Sequence, residues 1–588
     1  MIGVVSKPGQ SSVVEEFFQL FKTPWEPYHE GRSYDVILAT AGVIPHPEPR
    51  LLLLYGESVE CREFRIQSTV PSPGSPVDLT YQGARIPIYG KVLTFEAAAG
   101  SEPCVLTPSG IAGLKLHRAG KTVIRIGYDL FHEAEHILRR GQPAEYAPIP
   151  TLEFHIKMLR DWILDAGISL LEIPPAPAGY DLAVCLTHDV DFAGIRNHVF
   201  DRTMWGFLYR STLEACSDYV RGRISLARLI KSWRAALSLP FVYLGWTRDF
   251  WLCFDWYLRL EEGLPATYFF IPFKRRAGAK ISAEQSKRRA ASYDIMDIPE
   301  WITRLVTAGC EIGVHGIDAW HDAERGREER ERIAAASSRD AIGIRMHWLL
   351  SDEDSACAIE EAGYVYDSTA GYNETVGYRS GTTQAYRPLN AGKLLELPIL
   401  IQDGALFFSR RLGLTEPEAW KRCQELIQNA VRLGGVLNVI WHDRSPGPER
   451  FWGEFYAKLI RDLKTYKAWF GTAMQVVRWF QHRRDVSFEP AEFPDAGGGI
   501  KIRQTGERID PPLALRIHGP LPGKPEPQPG TNHPRAFLDL PLVGGEDVVL
   551  GWPLEIRSGL RPFRVSKAPD GQAERDGHAK QQEPHDPR

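Results

Sequence analysis

The sequence predicts an α/β protein: a parallel strand-helix barrel, an α/β accessory domain before it, and a small β-rich module after it. Three observations predict this. Between residues 181 and 443, short apolar runs that end in polar residues alternate with amphipathic stretches, as in a parallel sheet covered by helices. Over residues 1–150, apolar runs such as "SYDVILATAG" and "PRLLLLYG" alternate with turn clusters and end in "KTVIRIGYDLFHEAEHILRRGQ", a strand running into an amphipathic segment. Beyond residue 485, glycine and proline rise around short β-like runs, "GIKIRQTG", "LALRIHG" and "AFLDLPLVGGEDVVLGWPLEI".

At 588 residues the chain exceeds one compact core, and length argues for roughly three or four domains. The boundaries read as 1–150 (accessory), 151–180 (a helix and the proline-rich joint "EIPPAPAGYD"), 181–485 (barrel), 486–565 (β-sandwich-like module) and 566–588 (a polar, disordered tail). The accessory domain has no glycine-rich phosphate loop. A net charge of -4, with 24% charged and 43% hydrophobic residues, describes an ordinary globular protein and advertises no nucleic-acid partner. The N-terminus lacks a secretory pattern, no run is long enough to span a membrane, and eight scattered cysteines without a Cys-x-x-Cys pair read as reduced thiols. These features lead us to expect a cytoplasmic protein, peripheral at the inner face of the membrane if it touches one.

The barrel strands are read at 181–187, 266–273, 311–316, 343–349, 363–368, 394–400 and 434–443, with helices around 295–309, 323–337, 352–362 and 416–433. Residues 192–262 interrupt this order with an aromatic and basic insertion. It reads as a helical cap over the site or as an interfacial segment lying on an anionic membrane, since Trp, Phe and Leu alternate with Arg and Lys. The basic loop 273–289 reads as a solvated surface. In 371–388, Tyr378, Arg379, Tyr386 and Arg387 belong either to a structural loop or to a sugar-binding cleft.

Residues with chemistry stand at the strand ends. In "CLTHDVDF", Asp189 and Asp191 are two apart and emerge on one side of a strand, although the same spacing also fits a plain strand-to-loop transition. In "EIGVHGIDAWHDAE", His315 ends a strand and His321 sits at the edge of the next helix; two imidazoles and a carboxylate would leave an open position on a divalent ion. In "GIRMHWL", Arg345 is placed to hold a carboxylate through two hydrogen bonds, or to make a surface ion pair. "GGVLNVIWHD" ends in His442, suited to a general acid near neutral pH, and in Asp443, which either supports it or caps a helix.

The ordered set "LTHDVD", "HGIDAWH", "GIRMHW" and "LNVIWHD" resembles the polysaccharide deacetylase superfamily with its NodB homology domain, similar to carbohydrate esterase family 4, over about 180–480. The resemblance implies a distorted (β/α)7 barrel of NodB type and a divalent metal, usually Zn2+, bound by Asp-His-His. It also implies hydrolysis of an acetyl amide on an N-acetylated saccharide or saccharide precursor. By position, Asp189 matches the base, Asp191, His315 and His321 the metal ligands, Arg345 the base-orienting arginine and His442 the general acid. Three departures stand out: Val190 separates the aspartates, the histidines are six apart rather than four, and His347 stands where the arginine motif normally carries proline. The altered spacings and the two flanking modules motivate a second reading, a catalytically weak carbohydrate-binding or scaffolding protein; a third keeps the chemistry and changes the substrate to a small non-sugar amide.

Overall fold

The computed structural model describes residues 1–42, 48–57, 64–70, 76–97, 99–492, 498–505, 508–519, 537–542, 544 and 547–551. The expected tail at 566–588 and Cys61 lie outside these residues. The predicted barrel is present. Its eight main strands lie in the order Leu395–Glu396, Tyr366–Asp367, Ile344–Met346, Glu311–Gly316, Ala266–Phe270, Leu182–Val190, Val436–Ile440, Ile401–Gln402, and every neighbouring pair is parallel. A single segment closes the ring. It bonds Asp367 through the Leu397 amide (2.8 Å) and Asn438 through the Leu400 amide (3.1 Å), so its two ends serve opposite sides of the barrel. This shared closing segment is the distortion.

Strand Leu182–Val190 is buried at all nine positions, which is why it reads as a continuous apolar run rather than an alternating one: helices cover one face and barrel side chains the other. Helices Ala323–Ser337 and Glu416–Leu433 occupy the predicted spans; the latter opens on a Thr415/Glu418 capping box. The strand predicted at 343–349 is shorter. It ends at Met346 because Trp348 and Leu349 adopt φ of 67° and 52°, left-handed values that no strand accommodates.

The accessory domain carries a mixed sheet. Strands Trp25–Pro27, Ile2–Val5, Val36–Ala39, Leu51–Tyr55 and Lys121–Ile126 are parallel, and an antiparallel set beginning with Gly110–Arg118 continues from them. Helix Thr151–Asp165, expected in a linker, instead buries Ile156, Leu159, Trp162 and Ile163 in this domain's core. The C-terminal strands form two three-stranded antiparallel sheets, and one of them takes Leu170–Glu172 from the expected linker as its edge. Buried Arg483 adds a further stitch, donating to the carbonyls of Gln19, Leu20 and Ile173 (2.8–3.0 Å). Loop 371–388 is structural: Leu152 N donates to Gly381 O (2.9 Å), and Thr382 and Gln384 hold buried Glu153.

At the same joint Glu172 pairs with Arg160 (2.9 Å) and His518 (2.8 Å) at 3% exposure. Burial alone would raise its carboxyl, but Arg160 and His518 hold it well below the ordinary range. A depressed carboxylate contributes stability above its unfolded pKa, and that contribution fades as pH falls through the acidic range. Glu172→Gln is therefore expected to cost about 1.5–3 kcal/mol near neutral pH, because the buried carboxylate's charged hydrogen bonds are lost, and less at acidic pH. Urea unfolding at two pH values checks this; equal losses at both would show that the ion pair carries no stability.

Candidate active site

Asp189 and Asp191 flank fully buried Val190 and leave the strand on the same side, as the two-residue period requires. Asp189 is 3% exposed and its Oδ1 accepts from Arg345 Nη1 at 2.7 Å. Arg345 is held from every side. Its Nη1 also donates to Thr187 Oγ1 (2.9 Å), Nε to Ser368 O (3.0 Å) and Nη2 to Ser368 Oγ (3.0 Å), while the Phe269 ring lies 4.4 Å from its Cζ. Burial pushes the Asp189 carboxyl up, but Arg345, His315 and His442 outweigh it and keep it below the ordinary carboxylate range. A buried carboxylate is thus kept ionised at a fixed position.

Asp191, His315 and His347 present one donor atom each within 4.8 Å of one another. Asp191 Oδ1 is 3.4 Å from His315 Nε2 and 3.5 Å from His347 Nε2, and this buried oxygen has no hydrogen-bond partner. His315 Nδ1 donates to the Arg345 carbonyl at 3.0 Å. A carbonyl can only accept, so Nδ1 carries a proton and Nε2 is the ring atom that faces Asp191. Burial pushes the His347 ring down to about 3, so it is neutral. Two imidazole nitrogens facing one orphaned carboxylate oxygen, one of them on a ring held neutral, are a donor set that fits a divalent cation.

His321 does not join this cluster, contrary to the sequence expectation. After His315 the chain turns through Ile317 and Asp318, whose amides donate to buried Glu329 (2.9 and 2.7 Å). His321 Nε2 is then taken up by Asp318 Oδ1 at 3.1 Å, and the position four after His315 is buried Ala319. His347 fills the place from the neighbouring strand. His315 and Arg345 are register partners, so the residue two beyond Arg345 emerges beside His315, with the rings 4.8 Å apart. The loop read as a solvated basic surface supplies a further part. Arg289 is 1% exposed and its Nη2 donates to Ile317 O (2.8 Å) and His347 O (3.2 Å), tying the two histidine-bearing turns together.

His442 lies across the cleft, its Nε2 4.0 Å from Asp191 Oδ2. Its Nδ1 donates to Asp403 Oδ1 at 2.6 Å and its amide to Asp403 Oδ2 at 2.8 Å; Ser445 Oγ also donates to Asp403. Burial lowers the ring's pKa, but Asp403, with Asp191 and Asp189, lifts it to about 9, so His442 carries its proton at neutral pH. Asp443, weighed as its support, is engaged elsewhere: it accepts from the amides of Phe192 (3.3 Å) and Ala193 (3.1 Å) and shapes the turn after Asp191. Sequence reasoning missed Asp403, which sits in the short helix Asp403–Phe407 right after the barrel-closing segment. Its position at a strand end was the available signal.

These groups line a cleft of about 200 Å³ at the C-terminal ends of the strands, with Trp348, Asn373 and three arginines, Arg411, Arg444 and Arg450, on its wall. Tyr378, Arg379, Tyr386 and Arg387 are not on it. Arg379 and Tyr386 line a separate cleft beside the accessory domain, and Arg387 meets Glu16.

No protein-family profile and no curated protein matches the chain. Among solved structures, it is similar to one described as a polysaccharide deacetylase from Mycobacterium smegmatis (17% identity, TM-score 0.31, covering 53% of this chain and 95% of that one). It is also similar to the Puue allantoinase (14%, TM-score 0.30, covering 53% and 93%). A third is a family 4 carbohydrate esterase from Streptomyces lividans in complex with acetate (12%, TM-score 0.20, covering 50% and 94%). Each of these matches covers about half of this chain and nearly all of the other.

Proposed function

We propose that the protein is a metal-dependent hydrolase that removes an acetyl group from the nitrogen of an N-acetylated saccharide or saccharide precursor. The observation that carries this reading is the meeting, in one cleft, of an ionised carboxylate (Asp189), a three-donor cluster (Asp191, His315, His347) and a protonated imidazole (His442). Hydrolysis of an unactivated amide needs a base for water, a stabiliser for the oxyanion and an acid for the departing nitrogen. A divalent ion held by the cluster, zinc being our expectation, would polarise the acyl oxygen and acidify water. Asp189, held by Arg345, accepts the proton of the attacking water. His442, held by Asp403, then delivers its proton from Nε2 to the leaving nitrogen. Three guanidiniums on the cleft wall favour a saccharide that bears a carboxylate or phosphate.

The scaffolding reading rested on the altered spacings and the two flanking modules; against its first ground, His347 offers beside Asp191 and His315 the donor atom that His321 does not. The narrow cleft keeps the small-amide reading alive. The deciding measurement is acetate release by chelator-treated protein before and after zinc is restored, with neutral and acidic N-acetylhexosamine oligomers. Release that depends on zinc is expected. Zinc bound in stoichiometric amount, with no acetate from any saccharide and turnover of a small cyclic amide, would move the activity to the second class.

A further inference from the structure

Among the described residues, fourteen of the twenty-one exposed large apolar side chains lie between Val199 and Trp246, a stretch less than one tenth of the chain. They are not scattered within it. On helix Leu226–Tyr243 and the residue after it, the exposed large apolar residues are Leu226, Ile230, Trp233, Leu237, Phe241 and Leu244, spaced by three and four, hence one stripe along the helix. The helix buries a different face, through Leu229, Ser232, Leu239 and Val242. Among the described residues, this apolar stripe therefore meets no other element, apart from the Phe241–Trp246 ring contact at 5.9 Å. Ahead of it, Trp205, Tyr209 and Leu213 repeat every four residues and are also exposed.

The charge around the stripe says what covers it. Residues 199–248 carry eight arginines and lysines against three carboxylates, and helix Leu226–Tyr243 contains no acidic residue. Lys231, Arg234 and Arg248 are exposed and line an open groove of about 700 Å³ between the insertion and the loop at Pro446–Pro448. A second copy of this chain would set cations against cations. An anionic surface complements them, and indole rings at 44–71% exposure (Trp205, Trp233 and Trp246) suit the boundary between headgroups and acyl chains. No helix among the described residues is long and apolar enough to cross a membrane.

We propose that the exposed face of residues 199–248 lies on an anionic lipid bilayer, its apolar stripe in the headgroup boundary and lipid phosphate in the Lys231/Arg234/Arg248 groove. The insertion leaves the barrel immediately after Asp191, so this face stands at the end of the barrel that carries the cleft. Docking would bring the cleft mouth to the membrane surface, where a lipid-linked saccharide is within reach.

The test is sedimentation of the full chain with phosphatidylcholine vesicles and with vesicles that also contain phosphatidylglycerol, at low and at high salt. Binding to anionic vesicles at low salt is expected, falling with salt. Trp233→Ser with Leu237→Ser, and separately Lys231→Glu with Arg234→Glu, should each weaken it by on the order of tenfold or more. Phe537→Ser, an exposed site elsewhere, should leave it unchanged. Since these positions are exposed, the variants should keep the parent's Tm. Absence of binding at low salt, equal binding to neutral vesicles, or an oligomer that the stripe variants dissolve without any vesicle binding would each overturn the proposal.

Discussion

Asp189→Asn is expected to lower kcat by about 10²–10⁴-fold while zinc still binds in full. A general base contributes about that much, and an amide cannot take a proton from water. Asparagine keeps an oxygen for Arg345, so the site should stay assembled. Asp189→Ala is a worse probe, because it strands the buried guanidinium at a cost of about 3–5 kcal/mol. The pH profile carries the companion expectation. Asp189 works when ionised, and burial notwithstanding, Arg345 keeps it so to below the ordinary carboxylate range; activity is therefore lost only at strongly acidic pH. His442 works when protonated, so activity is present below its pKa and lost as pH rises through it. Asp403→Asn removes the partner that raises the ring, and the alkaline limb should move to lower pH with the acidic limb unmoved. An unmoved alkaline limb would take His442 out of the proton-delivering role.

His347→Ala should weaken zinc binding by about 100-fold or more, and His321→Ala should leave it intact. Loss of groups that merely orient ligands costs about 10–100-fold, and His347 offers a donor atom of the cluster itself. His321 is committed to Asp318 and has no such atom there. Titration with a chromophoric chelator reads metal affinity directly and does not need the substrate. If His321→Ala loses the metal and His347→Ala keeps it, the ligand assignment reverts to the one the sequence resemblance implies. Arg289→Leu separates holding from ligating: it should lower affinity less than His347→Ala, because Arg289 bonds backbone carbonyls, those behind the two histidine turns among them, and is not one of the cluster's donors.

The barrel was legible from residue order because its determinants are local. A fully buried parallel strand is a short apolar run, its crossover helix an amphipathic one, and the functional ends of such strands all face one way. Asp189, Asp191, His315, Arg345 and His442 could therefore be picked out as strand-end residues; the structure places four of them on one cleft and buries Arg345 behind Asp189. The boundary at 151–180 was less legible, since helix Thr151–Asp165 and strand Leu170–Glu172 find partners on opposite sides of a proline-rich stretch that looks like a spacer.

The sequence by itself determined the apolar runs that build the barrel and most of the polar residues that end them, Asp403 excepted. Only the tertiary structure decided that His347 rather than His321 meets Asp191, that Asp403 rather than Asp443 holds His442, and that Arg289 lies beneath the site. The physical reason is common to all three. Each depends on which residues lie side by side across neighbouring strands and on where a loop's hydrogen bonds turn it, and neither leaves a period in the chain itself.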